Sequence, residues 1–510
     1  MFKPNSLFWS DGYKIGHKRM LAKNTEYLYG TMIPRSLRHA PKGVNKIVVF
    51  SQQLAMQWLH DEFKENFFKL SENEAMDFAY DMSEYLMLPF DGEHFRELHQ
   101  LGYLPIRVKS LPEGIETKPG IPHMTFINTV SGYAWLTLYL ETIISSLTWK
   151  GSTSATIALQ YRRVATEWVK KTDRDNMWLV DYLCHDFSAR GLDPFTMIAS
   201  GLGHATSHRG SDTLVVIPAA RYFYDEPKFK MVEGKSVRQI PINSVNASEH
   251  SVSTTKIFTV GERQMIIDWL KEFPVGILSI VADTFDLWKL LVEYICDPEI
   301  KEMIMARDGK LVIRPDSGNP VDIICGLNTS QTYLQEEEFE GGRPTDPQLM
   351  GVVELLWGEY GGTRSRQGYK VLDSHIGVIY GDSINLERQL QIYERLEMKG
   401  FACTNIVLGI GSFTYQFNTR DSFGFAVKGS WFQADGKEYD IYKDPATDDG
   451  RKKSLKGRVR VDEVGGEYEV TAGCTEEEEN GGMLQVIYED GKFYNRTTLT
   501  EVRNKINKLV

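Results

Sequence analysis

Short apolar runs that end in polar or glycine residues recur along the chain from about residue 179 to residue 412. The five runs and the first polar or glycine residue beyond each are 179–183 before His185, 276–281 before Asp283, 311–313 before Arg314, 376–380 before Gly381, and 406–408 before Gly409. Helical segments such as residues 265–270 lie between several of them. Continuous apolar strands that alternate with helices are typical of a parallel sheet buried on both faces. The sequence therefore predicts an α/β fold.

The region with this pattern is roughly 250 residues long, which is the size of an α/β barrel. An open doubly wound sheet is the competing architecture. The whole chain has 510 residues, too many for one simple core. We predict an N-terminal α+β region (1–150), a barrel domain (151–420) with an insertion at about 330–370, and a β-rich C-terminal region (421–510).

The composition of the chain limits the kinds of partner and the cellular compartment that we expect for it. The formal net charge of −11 argues against a protein that coats nucleic acid. Five scattered cysteines without CxxC spacing indicate neither a disulfide framework nor a zinc site, and they favour a reducing, cytoplasmic setting. No apolar signal core opens the chain and no run of about 18 uncharged apolar residues occurs, so we expect neither export nor membrane insertion.

Charged residues stand where several of the predicted strands end. Residues 314–320 read Arg-Pro-Asp-Ser-Gly-Asn-Pro directly after an apolar run. Ligands of α/β proteins bind at the carboxyl ends of strands, and a guanidinium beside a carboxylate suits a phosphorylated substrate with its metal ion. The polar residues that we expect to meet at one mouth are Asp283, Asp286, Arg314, Asp316 and Asp382. Each aspartate alone could equally cap the helix that follows it.

A histidine beside a carboxylate occurs in Glu249-His250-Ser251. A carboxylate can orient an imidazole so that its nitrogen acts as a base or as a phosphate acceptor, although a lone histidine is more often structural. The chain contains no complete GxGxxG, P-loop, GxSxG or HExxH motif. The sequence therefore gives no support to a dehydrogenase, a P-loop kinase, a serine hydrolase or a zinc protease.

Several short motifs occur in a fixed order along the chain. They are Asp11-Gly12-Tyr13-Lys14, residues 185–191, Gly210-Ser211-Asp212-Thr213, Glu249-His250-Ser251, residues 314–320, Gly381-Asp382, Thr419-Arg420-Asp421, and Lys443-Asp444-Pro445 followed by the basic segment 451–458. In these motifs the chain, from about residue 7 to near its C-terminus, resembles the nicotinamide phosphoribosyltransferases. The most specific single piece is the segment 314–320.

This resemblance implies a type II phosphoribosyltransferase fold, an irregular α/β barrel with an additional domain from the N- and C-terminal regions. It implies transfer of a phosphoribosyl group from 5-phosphoribosyl 1-pyrophosphate to nicotinamide, which gives nicotinamide mononucleotide for NAD salvage. It also implies Mg²⁺ as cofactor, ATP as a stimulating co-substrate through a phosphohistidine, and a homodimer with shared active sites. No nucleic acid or membrane partner is expected.

The resemblance also implies roles for individual residues. Nicotinamide would contact Phe187, Tyr13 of the other subunit, Asp212 and Arg314. Ribose and phosphate groups would contact Arg190, Asp316, Gly381, Asp382, Gly411, Ser412, Arg420 and Lys428, the last two from across the dimer. His250 would be the phosphate acceptor, with Glu249, Asp286 and Asp316 to orient it.

Three other hypotheses remain at this stage. A nicotinate-using relative of the same fold is the nearest, but a carboxylate at Asp212 would repel the acid form of the base. An inactive binding or signalling protein on this scaffold would have no need of His250 and Asp316 together. A glycosidase would use the paired aspartates but would leave Arg314, Arg420 and Lys428 unexplained.

Overall fold

The computed structural model describes residues 3–90, 92–327, 346–445 and 454–510. Its strands, in chain order, are β1 (Thr25–Ile33), β2 (Ile47–Val48), β3 (Ile106–Ser110), β4 (Glu116–Thr117), β5 (Met124–Asn128), β6 (Cys184–Asp186), β7 (Phe229–Val232), β8 (Lys235–Arg238), β9 (Asn246–Ala247), β10 (Val275–Val281), β11 (Asp308–Arg314), β12 (Gly362–Arg364), β13 (Lys370–Leu372), β14 (Ile376–Tyr380), β15 (Ile406–Ile410), β16 (Ala426–Ala434), β17 (Lys437–Asp440), β18 (Arg458–Val464), β19 (Glu467–Cys474), β20 (Gln485–Glu489) and β21 (Lys492–Phe493).

The α-helices of the described residues are His17–Met20, Gln52–Phe63, Glu72–Leu86, Glu93–Leu101, Ala134–Tyr139, Glu141–Thr172, Pro194–Ala205, Val216–Phe223, His250–Val260, Glu262–Glu272, Leu287–Lys289, Pro298–Met305, Pro320–Cys325, Asp346–Met350, Val352–Tyr360, Leu386–Met398, Ser412–Gln416, Glu476–Asn480 and Leu499–Asn507. Shorter 3₁₀ turns include Gly12–Lys14, Arg174–Asp181, Ser188–Gly191 and Arg420–Ser422. None of the helices found in the described ranges is long and apolar enough to cross a membrane.

The chain divides into two compact units. The barrel unit comprises Ala158–Ile217 and Ile240–Phe417, and the terminal unit comprises Met1–Ile157, Pro218–Gln239 and Asn418–Leu509. The prediction had placed the divisions near residues 150 and 420. Residues 330–345 of the predicted insertion and residues 451–453 of the basic segment lie outside the described residues.

The barrel unit contains a parallel sheet in the order β6-β15-β14-β11-β10-β9. Its central strands β14 and β15 are apolar along their length, and every residue of β14 is buried. Two isolated parallel bridges, Asp186 with Ser211 and Gly210 with Asn243, continue the pairing from β6 toward the segment just before β9. Backbone pairing therefore connects β6, at one edge of the sheet, with the segment before β9, at the other edge. The predicted irregular α/β barrel is confirmed.

The prediction from the sequence pattern was wrong at one strand. Residues 179–183 were expected to be the first barrel strand, but the 3₁₀ turn Arg174–Asp181 occupies most of this stretch. The strand is Cys184–Asp186, so His185 and Asp186 belong to it instead of following it. Both side chains are buried, and their polar atoms form hydrogen bonds inside the fold. Within the predicted insertion, Val352–Tyr360 forms a helix with a largely buried apolar face.

The terminal unit is built on an antiparallel sheet in the order β17-β16-β1-β5-β3-β20-β21. Strand β1 from the N-terminal region pairs with β16 from the C-terminal region. Beside this sheet, Tyr29, Trp431, Val459 and Leu484 share one core cluster. The predicted additional domain from both ends of the chain is therefore confirmed.

Candidate active site

The predicted site residues of the barrel unit follow or end the parallel strands, all at the carboxyl side. Phe187 follows β6, His250 lies just beyond β9, Asp283 follows β10, Arg314 ends β11, Asp382 follows β14, and Gly411 follows β15. Carboxyl ends of parallel strands meet at one face of a barrel, so the fold brings these residues to one mouth.

His250 lies between two carboxylates at this mouth. It is the first residue of the helix His250–Val260, and Glu249 is the N-cap residue in front of it. The His250 Nε2 atom lies 3.8 Å from Asp283 Oδ1 and 3.9 Å from Asp316 Oδ2. Its Nδ1 atom is 3.3 Å from the Thr284 hydroxyl. The side chain is 48% exposed, so the imidazole is oriented on one side and open to a ligand on another.

Asp283 was predicted at this mouth without a role beside His250, which the resemblance assigned to Asp286. Its Oδ2 accepts hydrogen bonds from the Asp316 amide at 3.1 Å and the Ser317 hydroxyl at 2.5 Å. Its Oδ1 is buried and has no hydrogen-bond partner in the described part of the chain. Asp286, three residues later, accepts from the amides of Trp288 and Lys289 at 3.0 Å each and so caps the helix Leu287–Lys289. The carboxylate that faces His250 next to Asp316 is therefore Asp283.

Asp316 is pressed against the backbone of the neighbouring strand end. A Cβ atom added to Gly381 would lie 2.2 Å from Asp316 Oδ1, so only glycine allows this approach. Burial raises the pKa of Asp316 above its ordinary value, although the Arg314 guanidinium opposes the rise. The nearby carboxylates of Asp283 and Asp382 add to it. The mouth therefore holds a compact group of carboxylates with one guanidinium at its edge.

The segment that carries these two charges is fixed by the turn after β11. Arg314 donates from Nη2 to the Ser248 carbonyl at 2.8 Å. Gly318 has φ +87°, which an L side chain rarely adopts, and Asn319 caps the helix Pro320–Cys325 by accepting from the Val321 amide at 3.0 Å. The predicted role of residues 317–320 as a support for Arg314 and Asp316 agrees with this geometry.

A second group surrounds Phe187. Its ring centroid lies 4.6 Å from that of His185, and a Cβ atom added to Gly409 would lie 2.8 Å from Phe187 Cδ2. His185 Nε2 lies 3.0 Å from Asp212 Oδ1, which also accepts a hydrogen bond from the Ser244 hydroxyl. The structure therefore links the predicted ring-stacking residue to the predicted carboxylate through His185, which the sequence analysis gave no role.

Asp212 is held as a carboxylate. Burial opposes ionisation, but hydrogen bonds from His185 and Ser244 and the nearby Arg314 charge keep the pKa of Asp212 below its ordinary value. The acid form therefore appears only at lower pH than for a free aspartate. Near neutral pH this group accepts hydrogen bonds and repels anions.

The predicted phosphate contacts of the barrel unit lie on adjoining segments. Arg190 is exposed on the 3₁₀ turn Ser188–Gly191. A Cβ atom added to Gly191 would lie 2.1 Å from Ser412 Cβ, so this turn packs directly on the segment that contains Gly411 and Ser412. The side chain of Arg190 and the backbone after β15 are thus placed to share one anionic group.

The remaining predicted residues belong to the terminal unit. Tyr13 is 68% exposed on the 3₁₀ turn Gly12–Lys14. Glu141 accepts from the buried Lys14 at 2.8 Å and lies 3.8 Å from Lys428 Nζ. Burial lowers the pKa of Lys428, and neighbouring cations including Lys14 lower it further although Glu141 opposes them. Burial raises the pKa of Tyr13, the carboxylates of Asp11 and Glu141 raise it further, and the Arg420 charge opposes them. The exposed ring of Tyr13 and the cations Arg420 and Lys428 therefore lie among charges of both signs, with Glu141 acting on both Tyr13 and Lys428.

The carboxylates at the barrel mouth provide the oxygen donors that Mg²⁺ prefers, and the unpartnered Oδ1 of Asp283 is one of them. Across the described ranges no three acidic, histidine or cysteine side chains converge closely enough to hold a metal ion by themselves. A Mg²⁺ ion at this mouth would therefore need further oxygen ligands besides these carboxylates.

Comparison with known proteins identifies the family. The model of the nicotinate phosphoribosyltransferase (NAPRTase) family matches residues 182–492. A nicotinamide phosphoribosyltransferase of Acinetobacter baylyi is 37% identical over 99% of this chain and 97% of its own length. One of Mycoplasma pneumoniae is 29% identical over 88% of this chain and 94% of its own length.

Solved structures agree on the fold. The nicotinate-nucleotide pyrophosphorylase of Pyrococcus furiosus matches with a TM-score of 0.54 at 14% identity, covering 99% of this chain and 95% of its own. Human nicotinic acid phosphoribosyltransferase matches with a TM-score of 0.51 at 14% identity, covering 98% of this chain and 93% of its own. At this identity the matches bear on architecture alone.

Proposed function

Because the chain belongs to the nicotinate phosphoribosyltransferase family, we propose that it transfers the phosphoribosyl group of 5-phosphoribosyl 1-pyrophosphate to nicotinamide. The choice of nicotinamide as the base rests on one observation, that Asp212 is held ionised beside Phe187. The products are nicotinamide mononucleotide and pyrophosphate, and the reaction serves NAD salvage. The nicotinamide phosphoribosyltransferases among the relatives support this assignment.

Base selection follows from charge at Asp212. Nicotinamide carries a neutral carboxamide whose NH₂ group donates to the carboxylate, and its ring stacks on Phe187. Nicotinate carries a carboxylate that Asp212 repels and that offers no donor. Offset stacking contributes about 0.5–1.5 kcal/mol beyond burial, so stacking positions the ring while the charge decides which base is accepted.

Transfer at the ribose is assisted mainly by electrostatics. The bond from ribose C1 to the pyrophosphate oxygen breaks, the electron pair leaves with pyrophosphate, and the pyridine nitrogen forms the new bond. Arg314 lies at the base and ribose end, and Asp316 and Asp382 bind ribose hydroxyls and face the positive charge that develops on the sugar. Bound Mg²⁺ supplies neutralisation of the pyrophosphate charge.

We assign ATP coupling to His250. An imidazole nitrogen of His250 attacks the γ-phosphorus of ATP, ADP leaves, and water later releases inorganic phosphate from the phosphohistidine. Support comes from the half-exposed ring with Asp283 and Asp316 within 4 Å on its Nε2 side, because carboxylates stabilise the charge on a phosphorylated imidazole. The site residues Glu249 and Asp286 would act only indirectly, through the backbone segments that they begin.

Replacement of His250 by alanine is expected to abolish stimulation by ATP while basal synthesis of the mononucleotide continues. The reason is that His250 is the phosphate acceptor but does not touch the base. Product formation should be measured with and without ATP, together with retention of labelled γ-phosphate on the protein. His39→Ala, which alters an exposed histidine of the terminal unit, is the control and should keep the label. An undiminished ATP response in His250→Ala would refute the acceptor role.

We further propose a homodimer in the cytoplasm whose two active sites each combine residues of both subunits. Phe187 of one subunit and Tyr13 of the other would hold the pyridine ring between them, and Arg420 and Lys428 would reach the phosphates of the partner's site. The exposure of Tyr13 and Arg420 supports this arrangement, since both side chains are open to a partner. The five cysteines are all free thiols, in keeping with a reducing compartment.

Shared sites predict complementation between two weakened variants. Tyr13→Ala and Phe187→Ala should each lose about tenfold in kcat/KM, since each removes one face of the stack. After mixed refolding, about a quarter of the sites should be intact, because half of the dimers are mixed and one of their two sites is unaltered. Activity should be compared with that of each variant refolded alone. If the mixture is no more active than the mean of the two, the sites are not shared.

One assay tests the reaction itself. The protein is incubated with 5-phosphoribosyl 1-pyrophosphate and Mg²⁺, and either nicotinamide or nicotinate is offered, with and without ATP. We expect nicotinamide mononucleotide, faster with ATP, and little of the acid product. No product from either base would leave only a binding role for the scaffold. Equal use of nicotinate would reject the role of Asp212 and favour the nicotinate-specific alternative.

A further inference from the structure

His185 occupies a fixed position between the two groups that recognise the base. It belongs to β6, and its side chain is 11% exposed. A Cβ atom added to Gly210 would lie 2.8 Å from His185 Nδ1, so the absence of a side chain at Gly210 makes room for the ring. The ring also lies 4.6 Å from that of Phe187. The imidazole therefore has little freedom to rotate.

The hydrogen bonds at Asp212 are arranged unequally. His185 Nε2 lies 3.0 Å from Oδ1, and the Ser244 hydroxyl donates to the same oxygen. In the described part of the chain Oδ2 receives no hydrogen bond. A carboxylate only accepts, so the proton of His185 must stand on Nε2. Two donors thus hold one oxygen and leave the other free for a ligand.

The backbone reinforces this arrangement. The Asp212 amide donates to the Asp186 carbonyl at 2.9 Å, and the Asp186 carboxylate accepts from the hydroxyls of Ser211 and Thr213 at 3.1 and 2.7 Å. These bonds fix the main chain on both sides of residue 212. They leave the torsion of the Asp212 side chain to be set by His185 and Ser244.

We infer that His185 is a positioning residue that determines base affinity and specificity, because its Nε2–H fixes the Asp212 carboxylate with Oδ2 directed to the nicotinamide NH₂. This inference rests on the proposed function. His185 does not act on the ribose, so its effect falls on KM for the base and not on kcat. Without it, Asp212 samples several rotamers and presents the acceptor only part of the time.

Two substitutions of His185 isolate the hydrogen bond. In His185→Gln the amide nitrogen is as many bonds from Cβ as Nε2 is, so it can still donate to Asp212. In His185→Asn the amide is one bond shorter and falls short of the carboxylate. Both variants lose the ring contact with Phe187 and both keep a neutral polar group, so their comparison removes these effects.

We expect KM for nicotinamide to be about tenfold higher in His185→Asn than in His185→Gln, with kcat values within about twofold. The preference for nicotinamide over nicotinate should fall in the Asn variant alone. Thermal unfolding of both variants identifies any general loss of structure. Equal KM values in the two, or a loss confined to kcat, would overturn the inference while leaving the proposed function intact. Absence of product with the unaltered protein would overturn both.

Discussion

Replacement of Gly381 by alanine is expected to lower kcat/KM by about 100-fold or more, which is the largest effect that we predict for a single methyl group. The added Cβ would lie 2.2 Å from Asp316 Oδ1 and 3.6 Å from Arg314 Cδ. The Asp316 carboxylate must therefore move by about an ångström, and such a misplacement at a reacting centre costs on the order of 10²-fold in rate. Steady-state kinetics with both substrates varied provides the measurement.

Gly358→Ala is the matched control for this prediction. Gly358 lies in the helix Val352–Tyr360 of the same barrel unit, and among the described residues a Cβ atom there would meet only Met350 Cε, at 3.9 Å. The same change of side chain should therefore leave kcat/KM unaltered and stabilise the helix by about 0.5–1 kcal/mol. Near-normal activity of Gly381→Ala would show that the position of Asp316 does not limit catalysis.

Replacement of Asp212 by asparagine is expected to change the choice of base. Nicotinamide loses a charge-assisted hydrogen bond of about 1.5–3 kcal/mol, so kcat/KM should fall by a factor of roughly 10–150. The kcat/KM for nicotinate should rise, because the repulsion disappears and the asparagine NH₂ can donate to the nicotinate carboxylate. The ratio of kcat/KM for the two bases should therefore change by more than either value alone, and competition between the bases measures it directly.

Asp77→Asn makes the same change of charge away from the site. Asp77 is exposed on the helix Glu72–Leu86, and its carboxylate forms no hydrogen bond with the residues that the structure describes. Its kinetics should match those of the unaltered protein. An unchanged base preference in Asp212→Asn would mean that the carboxylate does not face the carboxamide, and the proposed pose of nicotinamide would have to be abandoned.

Much of the site could be predicted because parallel strands impose a simple rule. An apolar run of the right length becomes a buried strand, and the polar residue after it then lies at the carboxyl face with its counterparts. Asp316, Gly381 and Asp382 follow this rule, and so does the N-cap that Asn319 provides after them. The rule failed at β6, where a polar strand was preceded by an apolar stretch that forms a 3₁₀ turn.

The sequence could not choose between Asp283 and Asp286. Both follow β10 and both are possible ligands or caps, and the composition of the segment does not separate them. The choice depends on where the chain turns after the strand, which directs one carboxylate toward the amide of Asp316 and the other toward the first amides of a helix. Such directions are set by packing across several strands, so no local pattern records them.

By itself, the sequence determined the α/β class and the set of strand-end residues, because the alternation of apolar runs with helices depends only on the local order of the chain. The resemblance of its motifs to a known family then implied the barrel and the additional domain from both chain ends. The tertiary structure alone decided which of these residues meet. It placed Asp283 beside His250, required glycine at 381 next to Asp316, and linked Phe187 to Asp212 through His185. The physical reason is that distances between side chains on different strands depend on sheet order and register, which arise only when the whole barrel is packed.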